Sequence, residues 1–138
     1  MKIFIDTNIL LRFFIGDDSQ QHIESNLLLK EIQNGKHKTY ISNVVIIELI
    51  YTLSSFYKQK KASIIKKIES ILAIRNLTVI EKTNSKQAMH FYKKLNLKYG
   101  DCLLATQVPK DVNLVTYDRD FVKFPQLKVI KPGEIYEN

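Results

Sequence analysis

The chain opens on a short apolar run, Ile3-Phe4-Ile5, that stops at Asp6; Thr7 and Asn8 follow before apolar positions resume at Ile9. A run this short, apolar on both faces, predicts a buried strand with Asp6 at its carboxyl end. Asn8 to Ile15 is rich in Ile, Leu and Phe and stops at Gly16-Asp17, which predicts a short helix. A longer helix is expected from about Ser19 to Gln33, with Ile23, Leu27, Leu28 and Ile32 on one face. Asn34-Gly35 ends it, and Thr39–Ser42 reads as a second strand.

Asn43 can cap a third helix that runs to about Tyr57. Its segment Val44–Leu53 is apolar nearly all round, so burial on most sides is expected. After a polar turn at Lys58–Lys61, Ile64, Ile65, Ile68, Ile71 and Leu72 mark one face of a helix over Ala62–Ile74. Leu77–Ile80 is a third strand. A helix from Asn84 or Ser85 to about Leu95 turns Ala88, Phe91, Tyr92 and Leu95 inward. Gly100 breaks the pattern, and Asp101–Val108 is a short apolar helix closed by Pro109. Val112–Thr116 is a fourth strand, Tyr117–Asp120 a turn, Phe121 a helical turn, and Leu127–Ile130 an edge strand. Pro132-Gly133 leads into a short polar tail.

Strands that alternate with helices specify a parallel sheet with helices on both faces and right-handed crossovers. The expected architecture is a three-layer α/β/α sandwich around four to five parallel strands, one domain over residues 1–138, with no repeat or linker. In such sheets ligands bind at the carboxyl ends of the strands.

Charge changes the picture more than composition does. The chain carries 21 Lys and Arg against 14 Asp and Glu, a net charge of +7. That balance suits a polyanionic partner, nucleic acid first. Lysines crowd Lys58–Lys67 and recur at Lys86, Lys93, Lys94 and Lys98; most are read as a solvated face. Cys102 is the single cysteine, which excludes an internal disulfide and a Cys-based zinc site and points to a reducing compartment. Within its apolar run Cys102 reads as a small core residue. No apolar stretch reaches membrane-spanning length, and Asp6 interrupts the sole apolar N-terminal run, so a cytoplasmic protein is expected.

Four carboxylates stand out by position. Asp6 ends the first strand, Glu48 lies two turns into the helix after the second, Asp101 opens the helix before the fourth, and Asp118 follows the fourth. The topology brings all four to one sheet edge. Glu48 is the most telling, because it interrupts an otherwise apolar helix and a carboxylate there needs a cation. At ~5 Å and an effective dielectric of ~20, each pair repels by about 3 kcal/mol. Raised pKa values or bound cations must relieve that repulsion. An all-oxygen cluster suits Mg²⁺ or Mn²⁺. With a basic surface it suggests metal-assisted phosphodiester hydrolysis, with Thr7, Asn8 and Thr116 available to hold a water or a phosphate oxygen. Asp118 stands nearer the strand end than Asp120, and only one of the two needs a place in the chemistry.

Ile5-Asp6-Thr7-Asn8, Ser42 to Glu48, Asp101-Cys102-Leu103-Leu104-Ala105-Thr106 and Thr116-Tyr117-Asp118-Arg119-Asp120-Phe121 together resemble a PIN domain over essentially the whole chain. In size the chain is similar to the VapC-type toxins of toxin–antitoxin pairs. The resemblance implies a Mg²⁺- or Mn²⁺-dependent endoribonuclease that leaves a 5′-phosphate. It places metal ligation and catalysis on Asp6, Glu48, Asp101 and Asp118, with Asn8 and Thr116 at supporting polar positions and Asp120 as an additional acid. It further implies a homodimer and a small antitoxin partner. Cys102 departs from the small residue usual there. Two other readings within the family are a stand-alone nuclease of RNA processing and an inactive RNA- or partner-binding domain. A receiver-type phosphoacceptor would pair Asp6 with an adjacent acid, and a haloacid-dehalogenase-type phosphatase would carry Asp at position 8, where this chain has Asn8. His22, His37 and His90 lie on separate elements, which argues against a His-driven ribonuclease.

Overall fold

The computed structural model describes residues 1–136. Within them the strands are β1 (Lys2–Ile5), β2 (Lys38–Ser42), β3 (Leu77–Ile80), β4 (Asn113–Val115) and β5 (Lys128–Ile130). The helices are α1 (Thr7–Phe14), α2 (Ser19–Gln33), α3 (Asn43–Ser55), α4 (Lys61–Leu72), α5 (Ser85–Lys94), α6 (Tyr99–Ala105) and α7 (Pro132–Ile135), and a 3₁₀ turn spans Arg119–Lys123.

All strand pairs are parallel, in the order β3-β2-β1-β4-β5. Parallel strands cannot be joined by tight turns, so each connection carries helix back across the sheet. The expected α/β/α sandwich is therefore what forms, with β5 at an edge. β1 is central because Ile3, Phe4 and Ile5 are fully buried, on both faces of the sheet. From β1 the chain winds outward through β2 and β3, then returns to β1's other side for β4. That reversal makes the crevice between β1 and β4 the topological switch point. Ile5 pairs with Val115, so Asp6 and Thr116 emerge side by side at its mouth.

Several expectations need correction. Ser42, not Asn43, caps α3: its backbone is still extended while it pairs with Ile80, and its Oγ accepts the Val44 N–H at 2.9 Å. α3 is not buried on most sides. Val45, Leu49 and Leu53 face the core four residues apart, whereas Ile47 is 64% and Tyr51 70% exposed. A helix laid on a sheet buries one stripe, and no further layer within the described residues covers the other. Ile65 and Leu72 of α4, and Tyr92 of α5, are exposed for the same reason. Pro132 starts α7, and the polar tail then falls to positions 137 and 138, outside the described residues. Cys102 is fully buried, as its apolar setting requires. Among the described residues no helix is long and apolar enough to cross a membrane.

Candidate active site

Asp6 stands where β1 ends and α1 begins. Its backbone N–H continues the ladder to the Val115 carbonyl at 3.1 Å, and its side chain turns back to accept the Thr7 N–H at 2.8 Å. It is thus both the N-terminal cap of α1 and the first acid of the crevice. Its other carboxylate oxygen accepts from the Thr116 hydroxyl at 2.8 Å and from the Asn8 amide at 3.2 Å. Only 5% of the residue is exposed.

Thr116 and Asn8 tie the two strand ends together. The Asn8 amide also donates to Thr116 Oγ1 at 3.1 Å, while its carbonyl oxygen accepts the Tyr117 N–H at 3.1 Å. Thr116 Oγ1 further accepts the Asp118 N–H at 2.9 Å. The hydroxyl hydrogen and both acceptor positions of Thr116 are therefore used inside the protein. Sequence reasoning offered Thr116 as a holder of water or phosphate; the geometry makes it a buried brace behind Asp6. It also sets the backbone that carries Asp118.

Glu48 reaches the crevice from the second turn of α3, the one acid on that apolar helix. Thr7 Oγ1 donates to Glu48 Oε2 at 2.8 Å, joining α1 to α3. On its other side lies Gly100, where a Cβ would stand 2.8 Å from Glu48 Oε1. Gly100, expected from sequence to break the helical pattern, instead lies within the first turn of α6, and its lack of a Cβ leaves room for the Glu48 carboxylate. Asp101 follows on the same turn. It is 9% exposed and buried among acids.

Asp6, Glu48, Asp101 and Asp118 line one cavity of about 190 Å³, together with Thr7, Asn8, Leu11, Thr52 and Lys98. All four predicted acids are thereby brought together from distant stretches. Asp120 is not: it is exposed and points to Lys123 at 3.7 Å, while Asp118 Oδ1 accepts the Asp120 N–H at 2.9 Å. Asp118 lines the cavity and Asp120 does not. The three histidines stay outside this cavity.

Burial pushes the Asp6 carboxyl up to about 6, against the pull of the Thr116 and Thr7 hydrogen bonds, and the Glu48 and Asp118 charges add to the rise. Asp101 is driven to about 7 by burial first, then by the charges of Asp6, Glu48 and Asp118; Lys98 offsets a part. Asp101 also has no hydrogen bond to its carboxylate among the described residues. Such a cluster holds protons or a cation near neutral pH. The donor set is all oxygen and anionic, which fits a hard divalent ion and does not fit zinc held by Cys or His. Among the described residues no three such side chains are drawn as tightly together as a filled ion site requires. Hydrogen bonds from Thr7 and Thr116 hold Glu48 and Asp6 in place. Sequence reasoning missed two contributors, Gly100 and Lys98. Their spacing from Asp101, one and three residues, was the available signal.

The family described as PIN domain matches residues 3–127. Over 137 residues the chain is 30% identical to the VapC ribonuclease of Aquifex aeolicus (strain VF5), covering 97% of this chain and 98% of that protein. Among solved structures it is similar to VapBC2 from Rickettsia felis bound to a DNA fragment from their promoter, with a TM-score of 0.66, 23% identity, and 95% and 98% of the two chains covered. It is also similar to a toxin–antitoxin complex from Klebsiella pneumoniae, with a TM-score of 0.61, 17% identity, and 94% and 97% covered.

Proposed function

The chain belongs to the PIN-domain family, and we propose that it is the endoribonuclease toxin of a toxin–antitoxin pair, one nuclease domain over residues 1–138. The observation that carries this reading is the meeting of Asp6, Glu48, Asp101 and Asp118 in one cavity at the switch point of the sheet. The 30% identity to a VapC ribonuclease over nearly the full length of both chains supports the same activity.

In this reading Asp6, Glu48, Asp101 and Asp118 hold Mg²⁺ or Mn²⁺. A divalent ion supplies a water of lowered pKa and neutralises charge on the phosphate as it is attacked. The chain's own residues prepare the site. Thr116, Asn8 and the Thr7 N–H fix Asp6, the Thr7 hydroxyl fixes Glu48, and Gly100 gives the Glu48 carboxylate room. Water adds to phosphorus, the bond to the 3′ oxygen breaks, and the products are a 3′-hydroxyl and a 5′-phosphate. The net charge of +7 favours approach of the RNA polyanion.

The partner in this reading is a small antitoxin bound to a toxin homodimer, acting in the cytoplasm. The exposed apolar side chains of α3 and α4, with a cavity of about 400 Å³ lined by Ile50, Ile64, Ile65 and Ile68, support a protein partner on that side. The reading is tested by incubating RNA with the parent chain, Asp6→Asn and Asp101→Asn, each with Mg²⁺ or Mn²⁺. Cleavage by the parent and its loss in both variants is expected. Equal cleavage by all three would refute the catalytic assignment.

A further inference from the structure

Among the described residues Lys98 is the one cationic side chain lining the acidic cavity. It stands three residues before Asp101, on the same face of the first turn of α6, where its carbonyl accepts the Cys102 N–H at 3.2 Å. The position is a poor one for a lysine on local grounds. A helix start favours an acceptor that caps the free N–H groups, and Lys98 makes no such bond. Nor does it neutralise the acids by contact: no carboxylate of the described residues lies within ion-pair distance of its ammonium. Its charge acts on Asp101 through space and offsets a part of the rise in that carboxyl. Lys98 is exposed, so its ammonium keeps its water and its range of motion at the cavity mouth.

We propose that Lys98 is a substrate-binding residue that meets a non-bridging oxygen of the RNA phosphate as it enters the cavity. The inference rests on the ribonuclease reading above. An RNA phosphate that approaches four carboxylates is repelled at short range, whatever the net charge of the whole protein. A flexible, hydrated point charge at the rim answers that repulsion where it arises, and a lysine ammonium binds phosphate in this manner. A lysine meant only to quench the acids would pair with one of them.

The test compares the full-length parent with Lys98→Gln and Lys98→Arg. Binding of a single-stranded RNA is measured in EDTA, where hydrolysis is stopped, over a series of salt concentrations. Mn²⁺ affinity is measured separately without RNA. Lys98→Gln is expected to bind RNA about tenfold more weakly, and the slope of log K against log salt falls by about 0.7, one phosphate contact on a single strand. Lys98→Arg restores both, and Mn²⁺ affinity in Lys98→Gln is equal to the parent's or tighter. Unchanged RNA affinity and slope in Lys98→Gln would overturn the proposal. So would weakened Mn²⁺ binding with RNA binding intact, which would make Lys98 part of the ion site alone. If the parent leaves RNA uncut with either ion, the ribonuclease reading itself fails, and this is seen before any Lys98 variant is compared.

Discussion

Replacing Asp101 by asparagine should make the metal-free protein more stable and inactive at once. Asp101 ordinarily titrates at 3.8 and is held at about 7 in the folded chain. At 1.36 kcal/mol per pH unit, that rise corresponds to roughly 4 kcal/mol of cost for ionising the folded protein. Water at the cavity mouth screens the carboxylate, so about 2 kcal/mol is the expected share. The sign follows from proton binding. Between about pH 4 and pH 7 the folded state holds the proton more tightly than the unfolded chain, so stability falls as pH rises through that window and stays low above it. The amide that Asp101→Asn introduces carries no charge and removes the loss. In urea unfolding with EDTA, Asp101→Asn should exceed the parent by about 2 kcal/mol at pH 8, with the two converging near pH 4. Millimolar Mg²⁺ should raise the parent and leave the variant unmoved. A variant no more stable than the parent at pH 8, or a difference independent of pH, would show that burial and the neighbouring acids do not penalise the Asp101 charge as their placement implies.

Gly100→Ala should favour α6 by about 0.5–1 kcal/mol, since alanine is the better helix former, yet its Cβ meets Glu48 Oε1 at 2.8 Å and must displace that flexible carboxylate. RNA cleavage should fall at least tenfold while thermal unfolding shows no loss of stability; undiminished cleavage would detach Gly100 from the site. Thr116→Val keeps the shape and removes the hydroxyl, leaving the Asp118 N–H without its acceptor and Asp6 without a donor. A loss of about 1–3 kcal/mol is expected in denaturant unfolding, and NMR titration should place Asp6 above its parent value of about 6. Mg²⁺ or Mn²⁺ at 100 times its dissociation constant should stabilise the parent by about 2.7 kcal/mol, and a thermal shift series should show Asp6→Asn without that gain.

Much of this protein is legible in its sequence. Alternation of apolar strand runs with helical periodicity specifies a parallel sheet, because parallel strands can only be joined through crossovers. The same rule sends the ends of β1 and β4 and the starts of α3 and α6 to one edge, so Asp6, Glu48, Asp101 and Asp118 could be gathered from order alone. Other features depend on what each element meets. Ser42 and Asn43 are both good caps, and pairing of Ser42 with Ile80 decides between them. Apolar residues all round α3 say nothing of which stripe finds the sheet; Val45, Leu49 and Leu53 do, and Ile47 and Tyr51 stay exposed. Gly100 reads as a break until Glu48 Oε1 is seen 2.8 Å from where a Cβ would stand. Lys98 reads as one more surface lysine until the cavity it faces has formed. Chain order and periodicity act along the backbone, and so they determine topology. Whether a side chain is brace, spacer or counter-charge depends on neighbours dozens of residues away, which only packing brings within reach.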